Sequence, residues 1–173
     1  MTNGVGSHKE RLASFELALR DAGIAHCNLV PVSSIFPPRA QLISRKNGLK
    51  LIKPGQIVFV VLSRNETNEP NRLTSAGVGL ALPNDKNMYG YLSETHAYGM
   101  TDSKTADWSE DLAIYMLATT MGLPFDPDKS WDAQKQEWKI SGKIFKTTHV
   151  VQSAEGDKNG LWTSVVAACV LLP

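Results

Sequence analysis

Two adjacent serines, Ser33 and Ser34, end an apolar run from Leu29 to Val32 and precede the rigid pair Pro37-Pro38. A serine hydroxyl is a weak nucleophile until something activates it, and taken alone the pair reads as a turn or a cap. The other residue types that do chemistry are scattered. His8, His26, His96 and His149 lack ligand spacing, so no zinc or iron site is indicated. Cys27 and Cys169 are too few for a disulfide framework or a four-thiolate zinc site, and both read as buried small apolar residues. Gly4-Val5-Gly6 has no strand before it and no Gly-Lys-Ser/Thr after it, so it is no phosphate loop. On its own Glu94 is a solvated glutamate at a strand end, and His26 a packed or surface histidine. Glu16 with Arg20 four residues on is an ordinary helix-surface ion pair.

The elements that must position these groups follow from hydrophobic spacing. Leu12, Phe15, Leu19 and Ala22 recur at three- and four-residue intervals, which predicts a helix from Ser7 to Ala22 ended by Gly23. Ile24 to Ser34 reads as a short strand-like segment, and the diproline beyond it admits neither regular helix nor central strand. Gln56 to Leu62, rich in β-branched residues, predicts a strand, and the polar stretch Arg64 to Asn71 a loop. Leu73 to Leu82 is a strand whose Ala76, Gly77, Gly79 and Ala81 suggest that another layer packs closely on it. After a turn at 83–86, Met88 to Ser93 is the next strand, with Glu94 near its end. Asp102 or Ser103 caps a second helix running to Met121-Gly122, with Ala106, Ala113, Met116 and Leu117 inward. Residues 124–140 form a linker. Lys143 to Gln152 and Leu161 to Leu172 are two strands joined by the turn at 154–160. This order indicates an α+β fold with largely antiparallel sheet.

A chain of 173 residues with 42% hydrophobic and 20% charged residues makes one domain with a normal core. Eighteen Lys and Arg against 17 Asp and Glu leave a net charge of +1, without the basic excess of a nucleic-acid binder. Trp108, Trp131, Trp138 and Trp162 therefore read as core or subunit contacts rather than base-stacking platforms. The amino-terminal MTNGVGSHKE lacks the apolar centre of a signal peptide, and Leu161 to Leu172 falls well short of the roughly 20 residues that cross a bilayer. The expectation is a cytoplasmic protein with neither membrane nor nucleic-acid partner.

One stretch is more specific than any isolated pair. From Phe15 to Pro38 the sequence F-E-x-A-L-x-D-A-G-I-A-x-x-N-L-V-x-V-S-S-I-x-P-P resembles the amino-terminal part of the pyruvoyl-dependent arginine decarboxylases. Thr74 to Pro83 with Asp85-Lys86, Gly90 and Glu94 is similar to the family's next block. Thr148-His149-Val150 and Val165 to Cys169 are similar to its end, so the resemblance spans nearly the whole chain. It departs from the pattern at Ala25-His26-Cys27, where relatives carry a Gly-Asn-aromatic run.

The resemblance implies a four-layer αββα sandwich with largely antiparallel sheets, the subunit of a homotrimer or a dimer of trimers, with active sites between neighbouring subunits. It implies that residues 1–173 form one domain that cuts itself into 1–33, the β chain, and 34–173, the α chain. In that cut the Ser34 hydroxyl attacks the Ser33 carbonyl, and elimination with loss of ammonia turns residue 34 into a pyruvoyl group. Asn28 matches the family's asparagine and is the expected oxyanion donor and substrate contact. The covalent pyruvoyl, needing neither metal nor pyridoxal phosphate, would form a Schiff base with the α-amine of L-arginine on the way to agmatine and CO2. Glu94 matches the proton donor, a role that asks for apolar surroundings in the assembled enzyme to raise its pKa. Glu16 stands where the family usually has an aspartate that receives the guanidinium, one methylene longer here, and Leu19, near the same helix end, either lines the pocket or belongs to the core. Two alternatives remain at this point: the same chemistry on another amino acid, or an uncleaved, non-catalytic member with an assembly or regulatory role.

Overall fold

The computed structural model describes residues 1–126, 130–132 and 137–173, and shows a mixed α+β fold with two mostly antiparallel sheets. The first sheet joins β1 (Thr2–His8), β10 (Trp162–Leu171), β4 (Ile57–Thr67) and β2 (Asn28–Pro31) in that order. The second joins β3 (Ile35–Phe36), β6 (Gly90–Tyr98), β5 (Leu73–Pro83), β9 (Lys143–Glu155), β8 (Glu137–Ile140) and β7 (Trp131–Asp132). Among the described residues β2 with β4 is the one parallel pair.

Period-two alternation explains how the sheets face each other, because successive strand residues point to opposite faces. Val61, Val165, Ala167 and Cys169 of the first sheet pack with Ala76, Val78, Leu80 and Leu92 of the second, forming one buried cluster. The alternate neighbours Val58, Val60, Val166 and Ala168 turn the other way, onto helix α1 (Arg11–Asp21). Helix α3 (Asp102–Thr120) covers the far face of the second sheet with Ala113, Ile114, Leu117 and Ala118. A short helix, α2 (Arg45–Leu49), capped by the Ser44 hydroxyl, lies within residues where no element was expected.

Both long helices dock through small residues. A Cβ on Gly4 of β1 would overlap the Ala18 carbonyl of α1, and one on Gly79 of β5 would overlap the Ser109 carbonyl of α3. The close packing expected over the small residues of β5 is therefore real, and β1 uses the same device. It also explains why β1 is absent from the sequence reading: its inward residues are Thr2, Gly4 and Gly6, none of them an apolar marker. Because Ser7 and His8 belong to that strand, α1 starts at Arg11. The buried face of α1 is Ser14 and Ala18, whereas Leu12, expected inward, is 75% exposed.

The structure differs from the expected elements at further points. The expected loop at 64–71 is strand as far as Thr67, because Ser63, Asn65 and Thr67 are buried polar residues that hide the alternation. The strands β9 and β10 do not pair; the turn between them carries the chain from one sheet to the other. Part of the linker expected at 124–140 is the hairpin of β7 and β8, with Trp131 opposite Trp138; its positions 127–129 and 133–136 lie outside the described residues. Thr101 caps α3, where Asp102 or Ser103 was expected. Cys169 is buried as expected, but Cys27 is half-buried at the surface, its Sγ 3.7 Å from the Lys53 carbonyl oxygen. No described helix is long and apolar enough to cross a membrane.

Candidate active site

Ser33 and Ser34 lie where the chain leaves one sheet for the other. β2 runs beside β4 in parallel, and its last rung is the Val32 N–H donating to the Val60 carbonyl at 3.0 Å. Two residues later the Leu92 N–H of β6 donates to the Ser34 carbonyl at 2.7 Å, and β3 continues along β6 from Ile35. The Ser33–Ser34 peptide is thus suspended between two anchors on different sheets. The diproline that follows keeps the chain from pairing further, since proline has no N–H to give.

Between these anchors the Ile35 N–H donates to the Ser33 carbonyl at 2.9 Å, closing a three-residue turn around Ser34. A donor already aimed at that carbonyl oxygen stabilises negative charge developing on it. Ser33 is exposed and Ser34 half-buried, so the hydroxyl next to this carbonyl is not sealed in the core. The residue types thus suit conversion of position 34 to a ketone: a β-hydroxyl, an adjacent polarised carbonyl, and fixed backbone on both sides.

Glu94 is brought to the same corner by strand register. It lies two residues beyond Leu92 on β6, so both side chains leave the same face, toward the first sheet. On β4 the next outward amide after the Val60 rung belongs to Leu62, and β2 has already departed there. The Glu94 carboxyl meets that Leu62 amide. Burial pushes the Glu94 pKa above the ordinary glutamate range, while the Leu62 hydrogen bond and the His96 charge pull it back down. The side chain is nevertheless exposed in the single chain, so its desolvation comes from the sheet edges around its base. It sits mid-strand, not at a strand end, because β6 runs on to Tyr98. Beyond it the two sheets are stitched together: Ser63 Oγ donates to the Thr95 carbonyl at 2.6 Å and Asn65 Nδ2 to the Ala97 carbonyl at 2.9 Å.

The remaining predicted residues stand apart from this corner within one chain. Asn28 begins β2, and five residues of extended chain, about 16 Å, separate it from Ser33. Its Nδ2 donates to the Gly55 carbonyl at 3.0 Å. Glu16 is on α1, across the first sheet from the crossing, and its Oε1 accepts from Arg20 Nε at 2.6 Å. Leu19, on the same helix, packs against the core between α1 and the first sheet, and its carbonyl caps the turn by accepting from Ile24 and Ala25. His26 is exposed. Sequence reasoning missed the two backbone donors, Ile35 and Leu62. Main-chain amides carry no side-chain signal, and only the parity of the β2–β4 register could have exposed Leu62.

Comparison with known proteins covers the chain from end to end. The model of the family described as pyruvoyl-dependent arginine decarboxylase matches residues 1–173. The Pyruvoyl-dependent arginine decarboxylase of Nitrosopumilus maritimus is 59% identical over 172 residues, 99% of this chain and 94% of that protein. The Probable pyruvoyl-dependent arginine decarboxylase of Chlorobium limicola is also 59% identical, and Pyruvoyl-dependent arginine decarboxylase 2 of Methanosarcina acetivorans 52% identical, with the same coverage. With a serine pair held between two sheets beside a glutamate of raised pKa, and relatives alike over nearly their full length, the chain belongs to the pyruvoyl-dependent arginine decarboxylase family.

Proposed function

We propose that this chain cuts itself between Ser33 and Ser34 and then decarboxylates L-arginine to agmatine and CO2. The observation that carries the reading is the Ser33 carbonyl, held by the Ile35 N–H at 2.9 Å between the Val32 and Leu92 anchors. Ser34 Oγ adds to the Ser33 carbonyl carbon, the Ile35 amide stabilises the oxyanion, and the C–N bond breaks to leave an ester and a free amine. Loss of the Ser34 α-proton then expels Ser33 as a carboxylate. Water releases the nitrogen as ammonia and leaves a ketone at residue 34. A pyruvoyl group supplies the electrophilic carbonyl that takes up the substrate amine and drains the electron pair left behind by CO2. Glu94, whose pKa burial raises above the ordinary glutamate range, returns a proton to the substrate carbon.

The fragments 1–33 and 34–173 stay one domain after the cut. β1 remains paired to β10 and β2 to β4, so the shorter fragment is held by backbone ladders on both its strands. The layers read as helix, sheet, sheet, helix, an αββα sandwich, with α1 outside one sheet and α3 outside the other. The finished enzyme is a trimer or a dimer of trimers. Support comes from Val30, Ile57 and Phe59, an exposed apolar face at the β2 edge of the first sheet beside Asn28. Support comes also from Glu16 and Leu19, which α1 holds away from their own Ser34 and can present to a neighbour's. There Glu16 receives the guanidinium through paired hydrogen bonds, Leu19 packs on the substrate's methylenes, and Asn28 exchanges Gly55 for substrate or oxyanion.

A coupled CO2 assay over arginine, lysine, ornithine and histidine tests the substrate. Arginine alone should turn over well, and equal rates on all four would overturn the guanidinium assignment. Ser34→Ala should remain a single uncut chain with no activity.

A further inference from the structure

Glu16 and Arg20 form an ion pair of an unusual kind for this reaction. The carboxylate assigned to the substrate's guanidinium already holds a guanidinium, that of Arg20 one helical turn away, with Nε 2.6 Å from Oε1. Glutamate placed four residues before a cation on a helix is the favourable orientation for such a pair. The partners are 67% and 43% exposed, so solvent screens the contact and it opens easily.

From this geometry we infer that Arg20 is an internal competitor of the substrate, setting how weakly arginine is held. The inference rests on the reading of Glu16 as the guanidinium receiver. Substrate arginine binds a carboxylate best as a fork, through two parallel hydrogen bonds that need both oxygens. Arg20 takes Oε1, so the fork closes only after Arg20 lets go. Its positive charge also opposes a cationic side chain arriving at the same carboxylate. Glutamate's extra methylene is what lets both arrangements exist: the carboxyl can fold along the helix to Arg20 or extend away from it toward substrate.

A merely structural role makes the opposite prediction. If Arg20 served to hold Glu16 in the binding geometry, removing it would weaken guanidinium binding. The sign of the effect therefore decides, and it can be read without turnover. Agmatine binding is measured by calorimetry on the assembled, uncut Ser34→Ala protein, with Arg20→Met added to keep an apolar stem and remove the charge. An exposed pair at this spacing restrains its partner about twofold, and the lost charge repulsion adds to it. Agmatine should bind about two- to fivefold tighter. In cleaved enzyme Arg20→Met should lower KM for arginine by the same factor with kcat unchanged, and Arg20→Gln should reproduce it. Adding Glu16→Gln should abolish the gain. Unchanged or weaker agmatine binding in Arg20→Met, with Glu16→Gln alone weakening it, overturns the competition while leaving Glu16 as receiver. Agmatine binding indifferent to Glu16→Gln overturns both.

Discussion

Replacing Glu94 by glutamine isolates proton delivery from everything else the residue does. The amide keeps an oxygen to accept from the Leu62 N–H and keeps the side-chain volume, but it has no proton to give at neutral pH. Because the Glu94 side chain is exposed in the folded chain, the substitution should change stability by no more than about 0.5 kcal/mol. A positioned general acid contributes typically 10²–10⁴-fold, or about 3–5 kcal/mol of barrier, so CO2 release should fall by that factor while chain cleavage proceeds. Single-turnover CO2 release, run beside a denaturing gel, reads both quantities. The pH profile supplies the internal control. The acid is the working form and burial raises its pKa, so wild-type decarboxylation fades as pH rises through that raised value. Glu94→Gln should lack this limb, and His96→Gln should move it to higher pH by removing a charge that favours the carboxylate. A Glu94→Gln enzyme within about threefold of wild type, with the alkaline limb intact, would refute the proton-donor assignment.

Other perturbations test the scaffold and the assembly. Gly79→Ala places a Cβ inside the Ser109 carbonyl, backbone that cannot rotate away; about 3 kcal/mol of overpacking should lower the thermal midpoint by about 6–12 °C in a calorimetric scan. Phe59→Glu, on the exposed apolar face next to Asn28, should shift the protein to monomers by light scattering and remove activity while leaving the monomer folded. An active Phe59→Glu monomer would overturn the placement of active sites between subunits.

The parts of the fold legible in the sequence were those whose buried residues are apolar. Val58, Val60 and Val61 announced β4, Val165 to Cys169 announced β10, and Ala113 with Leu117 announced α3. The elements that escaped turn polar or small residues inward. β1 buries Thr2, Gly4 and Gly6 because α1 lies almost on its backbone, and the far half of β4 buries Ser63 and Asn65 because they bond across to β6. Hydrophobic patterning cannot see either device. For the site, Ser33, Ser34 and Glu94 were named from the sequence, and register places them in one corner. How Ile35 and Leu62 serve that corner depends on which way main-chain amides point when β2 leaves its sheet, and that is a property of pairing rather than of residue type. Glu16 shows the converse: the ordinary ion pair with Arg20 is present, and it bears directly on how the residue would greet a substrate.

Intact-mass measurement of freshly assembled protein under denaturing conditions weighs the central claim directly. Two species are expected, residues 1–33 with a free carboxyl end and residues 34–173 whose first residue is a ketone that hydroxylamine or borohydride modifies. A single uncut chain of 173 residues, or a 34–173 fragment that still begins with serine and ignores both reagents, would contradict it.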